Sequence, residues 1–225
     1  MKKYLPIALF LFGVLVLVGV YFLVIRKPAK APAEETSSQI EVSLEDRPIV
    51  SLTPSEDGHW LKLGIDKIKI DAKSLDYELL YDLPDGRTQG VPGTVALEGQ
   101  SKIERDLLMG SESSGKFRYD EGVELGDITI RFRNGKGKLL IKFATKFHLQ
   151  SGVKELTSTD DIFSFIFDRK PSKIFFVTME TFGLPKGSVS SATSGPYGIF
   201  TSGTSLPSGS ADGWQKAAGA DIFYK

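Results

Sequence analysis

Residues 128–149 read ITIRFRNGKGKLLIKFATKFHL, and this stretch decides the fold of the chain. Apolar side chains alternate with mostly polar ones on both sides of a central Asn-Gly-Lys-Gly segment, residues 134–137. A pleated strand sends successive side chains to opposite faces, so the alternation predicts two strands that each bury one face. Asparagine and glycine tolerate the positive φ that tight turns between strands require. The stretch therefore predicts an antiparallel β-hairpin.

The same alternation recurs from about residue 40 to residue 182, and no segment in this range shows a sustained helical period. Clusters of Asp, Gly and Pro separate the alternating runs and predict turns between them. Many short strands separated by turns predict an all-β domain, residues 40–186. We expect it to fold as an antiparallel two-sheet β-sandwich with immunoglobulin- or fibronectin-like topology. A closed barrel or a jelly roll is the alternative. The predicted core contains Phe132, Phe143, Phe147, Phe163, Phe165, Phe167, Phe175, Phe176 and Phe182.

The N-terminal stretch Leu5–Ile25 is apolar and uncharged. As a helix it would cover ~30 Å, the thickness of a bilayer's hydrocarbon core. It predicts a single transmembrane helix through which the chain contacts the membrane, and the Arg26-Lys27 pair after it favours a retained anchor over a cleaved signal peptide. Residues 1–4 are then a cytoplasmic stub, and the C-terminal domain is extracytoplasmic. Residues 26–39, rich in Pro and Ala, form the expected linker.

The net charge of the residues after the apolar stretch limits the classes of partner that we expect. The chain has 28 basic and 28 acidic residues, but five basic and no acidic ones lie in positions 1–30. Residues 31–225 therefore carry 23 basic and 28 acidic side chains, a net charge of −5. Nucleic-acid binding needs concentrated Lys and Arg, so we do not expect it. Protein, carbohydrate or cations of the cell envelope are the expected partners.

The C-terminal residues 187–225 are mostly Gly, Ser, Thr, Ala and Pro, which predicts a mainly flexible tail. Residues 197–200 and 222–224 are candidate short edge strands within it. Trp214 lies in this polar segment and is a candidate binding residue, because an exposed aromatic ring can stack on a sugar or fill a partner's pocket. The alternative is that the ring packs back on the domain.

Four acidic residues crowd in the sequence YDEGVELGD, between two predicted strands. They are Asp120, Glu121, Glu124 and Asp127. Oxygen ligands on a loop can bind calcium, which accepts 6–8 oxygens at flexible geometry, so this loop is a candidate calcium site. A solvated acidic turn is the alternative. No other cofactor is predicted.

Motifs typical of nucleotide binding and of covalent catalysis are incomplete. Gly110–Lys116 fits the first seven positions of a phosphate-binding loop, but Phe117 replaces the Ser or Thr that holds magnesium. The strand-like residues after it favour a glycine-rich hairpin instead. The chain has no cysteine and two histidines, His59 and His148, which excludes a Cys-His nucleophile.

These observations favour a membrane-anchored extracytoplasmic binding, adhesion or envelope-scaffold module over an enzyme. The alternative is an anchored hydrolase with a carboxylate- or histidine-based site. An enzyme should bring titratable groups together in a pocket, whereas a binding module should expose an aromatic or acidic patch. A passive spacer should show neither.

Overall fold

A computed structural model describes residues 42–188 and 194–225, which belong to one compact unit, residues 38–225. The predicted stub, transmembrane helix and linker, residues 1–39, lie outside the described residues. Within the described ranges, no helix is long and apolar enough to cross a membrane.

The described residues form an all-β fold whose strands pair antiparallel throughout. The strands are β1 Ile49–Pro54, β2 Trp60–Asp66, β3 Ser74–Asp82, β4 Thr88–Ala96, β5 Ile103–Leu108, β6 Gly110–Ser113, β7 Lys116–Tyr119, β8 Leu125–Arg133, β9 Leu139–Ser151, β10 Glu155–Thr157, β11 Ser164–Phe167, β12 Phe175–Glu180, β13 Tyr197–Thr201, β14 Gly209–Ser210, β15 Gln215–Lys216 and β16 Ile222–Tyr224. They build an eight-stranded sheet, β15-β16-β13-β12-β9-β8-β3-β4, two three-stranded sheets, β1-β2-β5 and β10-β11-β14, and the two-stranded β6-β7.

The hairpin predicted from residues 128–149 is confirmed. β8 and β9 pair in register, with Ile130 opposite Phe143, and an irregularity follows Phe132. At the turn, Oδ1 of Asn134 accepts hydrogen bonds from the backbone N–H groups of Lys136 and Lys138 at 2.9 and 3.0 Å. The asparagine side chain therefore closes the turn that its sequence position predicts.

The first core lies between the eight-stranded sheet and the sheet β1-β2-β5. One face of β3, β8, β9 and β12 supplies Leu79, Phe132 and other apolar side chains, and β1 and β2 supply residues such as Leu52 and Leu63 from the opposite side. All four of these side chains are fully buried. Two antiparallel sheets that share a core in this way are compatible with a β-sandwich.

The second core lies on the opposite face of the eight-stranded sheet, over β12, β13 and β16. Phe165 and Phe167 of β11 pack there against Phe176 of β12 and Phe223 of β16. Since Val177, next to Phe176, belongs to the first core, β12 is buried on both faces. The sheet is therefore covered on both sides at this end.

The C-terminal segment is built into the fold, where its composition predicted a mainly flexible tail. Residues 194–225 supply β13 to β16, and β13 is an interior strand between β12 and β16 instead of an edge strand. Some of its glycine content serves packing. A Cβ on Gly209 would lie 2.4 Å from the backbone oxygen of Ile166, so glycine allows β14 to approach β11.

The glycine-rich hairpin favoured for Gly110–Lys116 is also confirmed, as β6 and β7. Its two turn residues, Ser114 and Gly115, both have positive φ, as a two-residue hairpin turn requires. Although the predicted alternation begins at about residue 40, no strand forms at described residues 42–44. β4 contains Pro92, which is tolerated because β4 is an edge strand.

We expect Phe132→Ala to lower the free energy of unfolding by about 3–5 kcal/mol, because its ring is fully buried in the first core. Phe117→Ala is the matched control. Its ring is 46% exposed on β7, so the loss should stay below about 1 kcal/mol. Urea unfolding followed by circular dichroism measures both variants, and equal losses would contradict this assignment of the core.

Candidate functional site

Three aromatic side chains cluster where the β6-β7 hairpin meets the start of β2, and two of them are exposed. We call this set, Trp60, Phe117 and Tyr119, the aromatic surface. Phe117 and Tyr119 are two residues apart on β7 and therefore point to the same face of the hairpin. Phe117 and Tyr119 are 46% and 37% exposed, and two exposed rings side by side form an apolar patch of the kind that marks contact surfaces.

The ring contacts fix the shape of the aromatic surface. His59 stacks on Tyr119 with centroids 4.3 Å apart and planes 10° apart. Phe117 and Tyr119 are nearly parallel at 6.1 Å, and Trp60 meets Phe117 edge-on at 5.7 Å. These distances lie in the range of favourable aromatic pairs, so the rings are held in place relative to one another.

Two features hold the hairpin in this position. The backbone N–H of Met109 donates to the carbonyl oxygen of His59 at 2.9 Å, which places β6 directly after the pairing of β5 with β2. Gly110 then turns the chain with a φ of 151°, and a Cβ there would lie 2.2 Å from the backbone oxygen of Arg118. Only glycine permits this close approach.

A cleft of 360 Å³ opens beside the aromatic surface and contains both histidines of the chain. We call it the histidine cleft. Its titratable lining residues are Asp57, His59, Asp120, Glu121, Glu124 and His148. Among the described residues that line it, none is Lys or Arg, so its charged groups are predominantly acidic.

Hydrogen bonds orient several of these groups. The hydroxyl of Tyr81 donates to Oδ2 of Asp120 at 2.9 Å, and burial together with this bond raises the pKa of Tyr81 well above its ordinary value. Hydrogen bonds from the hydroxyl of Ser55 and the backbone N–H of His59 hold the pKa of Asp57 below its ordinary value. The Asp57 side chain is therefore ionised at neutral pH.

The two histidines make different contacts. Nε2 of His59 lies 3.9 Å from Oε1 of Glu121, whose side chain is 82% exposed. Nδ1 of His148 donates to the carbonyl oxygen of Thr157 at 3.0 Å. That bond ties β9 to β10, so His148 has a structural contact on one ring nitrogen.

The structure separates the four acidic residues that the sequence grouped. Asp120, Glu121 and Glu124 line the histidine cleft, whereas Asp127 lies on β8 opposite Lys146 and lines a different cleft. Among the described residues, no three His, Asp or Glu side chains lie close enough together to hold a metal ion. Calcium binding by this loop stays a prediction from the sequence.

The second cleft, which we call the Glu180 cleft, has a volume of 490 Å³. It lies on the second face of the eight-stranded sheet, beside the second core. Asp127 pairs with Lys146 across β8 and β9, and Glu180 pairs with Tyr197 across β12 and β13. The hydroxyl of Tyr197 also donates to Oδ2 of Asp160. Titratable groups from five segments therefore meet in this cleft.

Burial and hydrogen bonding separate the pKa values in the Glu180 cleft. Burial raises the pKa of Glu180, although Arg47 opposes the shift, and burial also raises the pKa of Asp127. Burial would raise the pKa of Asp160 as well, but hydrogen bonds from Ser158, Tyr197 and the backbone of Ile162 hold it below the ordinary value. Carboxylates with pKa values shifted in opposite directions suit acid–base roles.

Trp214 lies against the second core. Its ring meets Phe163 and Tyr197 edge-on at 5.1 and 5.5 Å, and Nζ of Lys225 lies 4.7 Å from its centroid. The ring therefore packs on the domain but stays partly exposed, and a binding role for Trp214 stays a prediction from the sequence. The residues of the aromatic surface were not identified from the sequence, although the alternation Lys-Phe-Arg-Tyr between polar loops is a signal for them.

Comparison with protein-family models, with characterised proteins and with solved structures finds no match for this chain.

We expect Glu180→Gln to stabilise the protein at neutral pH. The folded state holds the Glu180 proton more tightly than the unfolded state, so stability falls as the pH rises above the ordinary value of 4.5. Glutamine removes this loss, so the melting temperature of the variant should exceed that of the wild type at pH 7, and the difference should shrink towards pH 4.

Glu104→Gln is the control of opposite sign. A hydrogen bond and the charge of Lys102 lower the pKa of Glu104, so this substitution should not stabilise the protein at pH 7. Thermal unfolding followed by circular dichroism at several pH values measures both variants. A Glu180→Gln protein that melts below the wild type at pH 7 would contradict the prediction and show that the attraction to Arg47 dominates.

Proposed function

We propose that the chain is a membrane-anchored extracytoplasmic binding module, an adhesion or envelope-scaffold protein that contacts its partner through the aromatic surface. The observation that carries this proposal is the pair of exposed rings on β7, held in place beside the histidine cleft. Aromatic side chains dominate the energetics of binding surfaces, since each buries a large area at little conformational cost.

The position of the aromatic surface supports a binding role. The rings stand on paired strands and contact one another, so little side-chain freedom remains to be lost on binding. Phe117 is not required by the first or second core, to which its ring does not belong. Contact with a partner would account for the patch of exposed rings that Phe117 forms with Tyr119.

The remaining parts of the proposal rest on sequence and on fold class. The apolar stretch Leu5–Ile25 supports the membrane anchor and an extracytoplasmic domain. Antiparallel sheets with a shared core support a β-sandwich. Immunoglobulin- or fibronectin-like topology belongs to the proposal too, although the eight-stranded sheet is wider than the sheets of such domains.

Co-sedimentation of purified residues 38–225 with isolated cell envelopes tests the binding function. We expect saturable binding that the double variant Phe117→Ala/Tyr119→Ala weakens at least about tenfold, because it removes two aromatic anchors. The double variant Ile162→Ala/Ile166→Ala is the matched control. These side chains are 57% and 45% exposed, but they lie outside the aromatic surface, so binding should remain unchanged.

Two outcomes would contradict the proposal. Absence of saturable binding would exclude an envelope-binding function. Equal loss of binding in both double variants would show general apolar adhesion instead of a specific surface. A parallel series with a calcium chelator tests the calcium prediction, since loss of binding on chelation would support calcium binding by the loop that contains Asp120, Glu121, Glu124 and Asp127.

Hydrolysis is a second candidate function, and the Glu180 cleft favours it. A half-buried carboxyl group with a raised pKa can act as a general acid, and the hydrogen-bonded Asp160 can remain ionised opposite it. In this alternative, Glu180 donates the proton to the leaving group, and Asp160 activates water. Both side chains line the same cleft, as this chemistry requires.

Assays with p-nitrophenyl glycosides and p-nitrophenyl acetate test the hydrolase alternative. If it holds, Glu180→Gln and Asp160→Asn should each lower the rate at least about hundredfold, because each removes an acid–base group. Glu104→Gln, on the edge strand β5, should leave the rate unchanged. Release of p-nitrophenol at the same rate in all four proteins would show that the cleft does not catalyse these reactions.

A further inference from the structure

We infer that the ligand of the aromatic surface is a basic segment of a partner polypeptide, whose Lys and Arg side chains lie on the exposed rings and reach the carboxylates of the histidine cleft. This inference rests on the binding function proposed above and adds the chemistry of the ligand.

The first argument is the contact between rings and carboxylates. Tyr119 stacks on His59, which lines the histidine cleft, and Asp120 directly follows Tyr119 in the chain. A ligand that covers Tyr119 therefore lies next to the carboxylates of the cleft. Lys and Arg side chains combine an apolar stem, which packs on aromatic rings, with a cationic end that is attracted to their faces.

The second argument is the charge that the cleft leaves uncompensated. Four carboxylates line it, and within the described residues no ion pair or side-chain hydrogen bond engages Glu124. Arg87 lies within electrostatic reach of Asp120, but Asp85 holds its guanidinium at 2.7 Å. The site therefore repels anionic ligands and attracts cationic ones.

The third argument is that the hairpin's own cations point away. Lys116 and Arg118 alternate with Phe117 and Tyr119 along β7, so they stand on the opposite face of the hairpin. The aromatic face is thus free for cations of a partner. A neutral glycan would gain stacking from the rings but would leave the four carboxylates without a charged partner, so it fits the surface less well.

The test measures fluorescence anisotropy of a fluorescein-labelled peptide that alternates Lys and Arg with Gly and Ser, added to the full chain in a nonionic detergent. A peptide of the same length with Gln at every basic position is the control. The basic peptide should bind and should weaken as salt rises, since screening reduces the attraction to the carboxylates. The Gln peptide should bind at least about tenfold more weakly.

Two variants separate the contributions of the rings and the carboxylates. Tyr119→Ala should weaken binding of the basic peptide about threefold to thirtyfold, as expected for the loss of a cation–π contact. Glu121→Gln/Glu124→Gln should weaken it several-fold and reduce its salt dependence. Glu104→Gln/Glu155→Gln removes the same charge from exposed strand positions elsewhere and should leave binding unchanged, which separates a local site from net charge.

Three results would overturn the inference. Equal binding of both peptides would show that charge is not recognised. Equal loss in the two double carboxylate variants would show attraction by net charge alone. Binding of a neutral N-acetylglucosamine oligomer that depends on Tyr119, without binding of the basic peptide, would assign the surface to a glycan. In that last case envelope binding would still depend on Phe117 and Tyr119, so the proposed binding function would stand while the ligand class would fail.

Discussion

The alternation of side chains across the eight-stranded sheet is the constraint on which the rest of the structure depends. At β12, Val177 and Met179 enter the first core, while Phe176, which precedes Val177 and points to the opposite face, enters the second core. Both faces of this strand need a covering layer, because neither can be left in water. The sheet β1-β2-β5 covers one face, and β10, β11 and β14 cover the other. Where the second face lacks such a layer, it carries ion pairs such as Arg131 with Glu78.

The sequence predicts those parts of the fold in which several local signals agree. Around Asn134, alternation on both sides and turn chemistry in the middle point to one hairpin, and the structure contains it. The C-terminal segment lacks this agreement. From composition, the glycine at position 209 indicates a flexible chain, although in the structure it allows close packing against β11. Composition shows which residues are present, but it does not show which distant residue a glycine packs against in the folded domain.

The residues of the candidate site are even harder to predict from the sequence. Asp127 is three residues from Glu124 in the chain, yet β8 places it beside Lys146 in a different cleft. His59 and Tyr119 are sixty residues apart and stack at 4.3 Å. Shared surfaces arise from strand pairing, which spacing along the chain does not encode. The acidic character of the loop at residues 120–124 was therefore visible in the sequence, while the rings beside it became a surface only through the fold.

The edges of the eight-stranded sheet affect how copies of the chain meet. Along β4, Pro92 has no N–H to donate, and glycines at positions 90 and 93 weaken the strand as a template. At the other edge, β15 is only two residues long. Neither edge of this sheet readily accepts an additional strand, so extension of the eight-stranded sheet from one copy to the next is disfavoured even when many copies are crowded together. Contacts between copies at this sheet therefore depend on side-chain surfaces instead of backbone pairing.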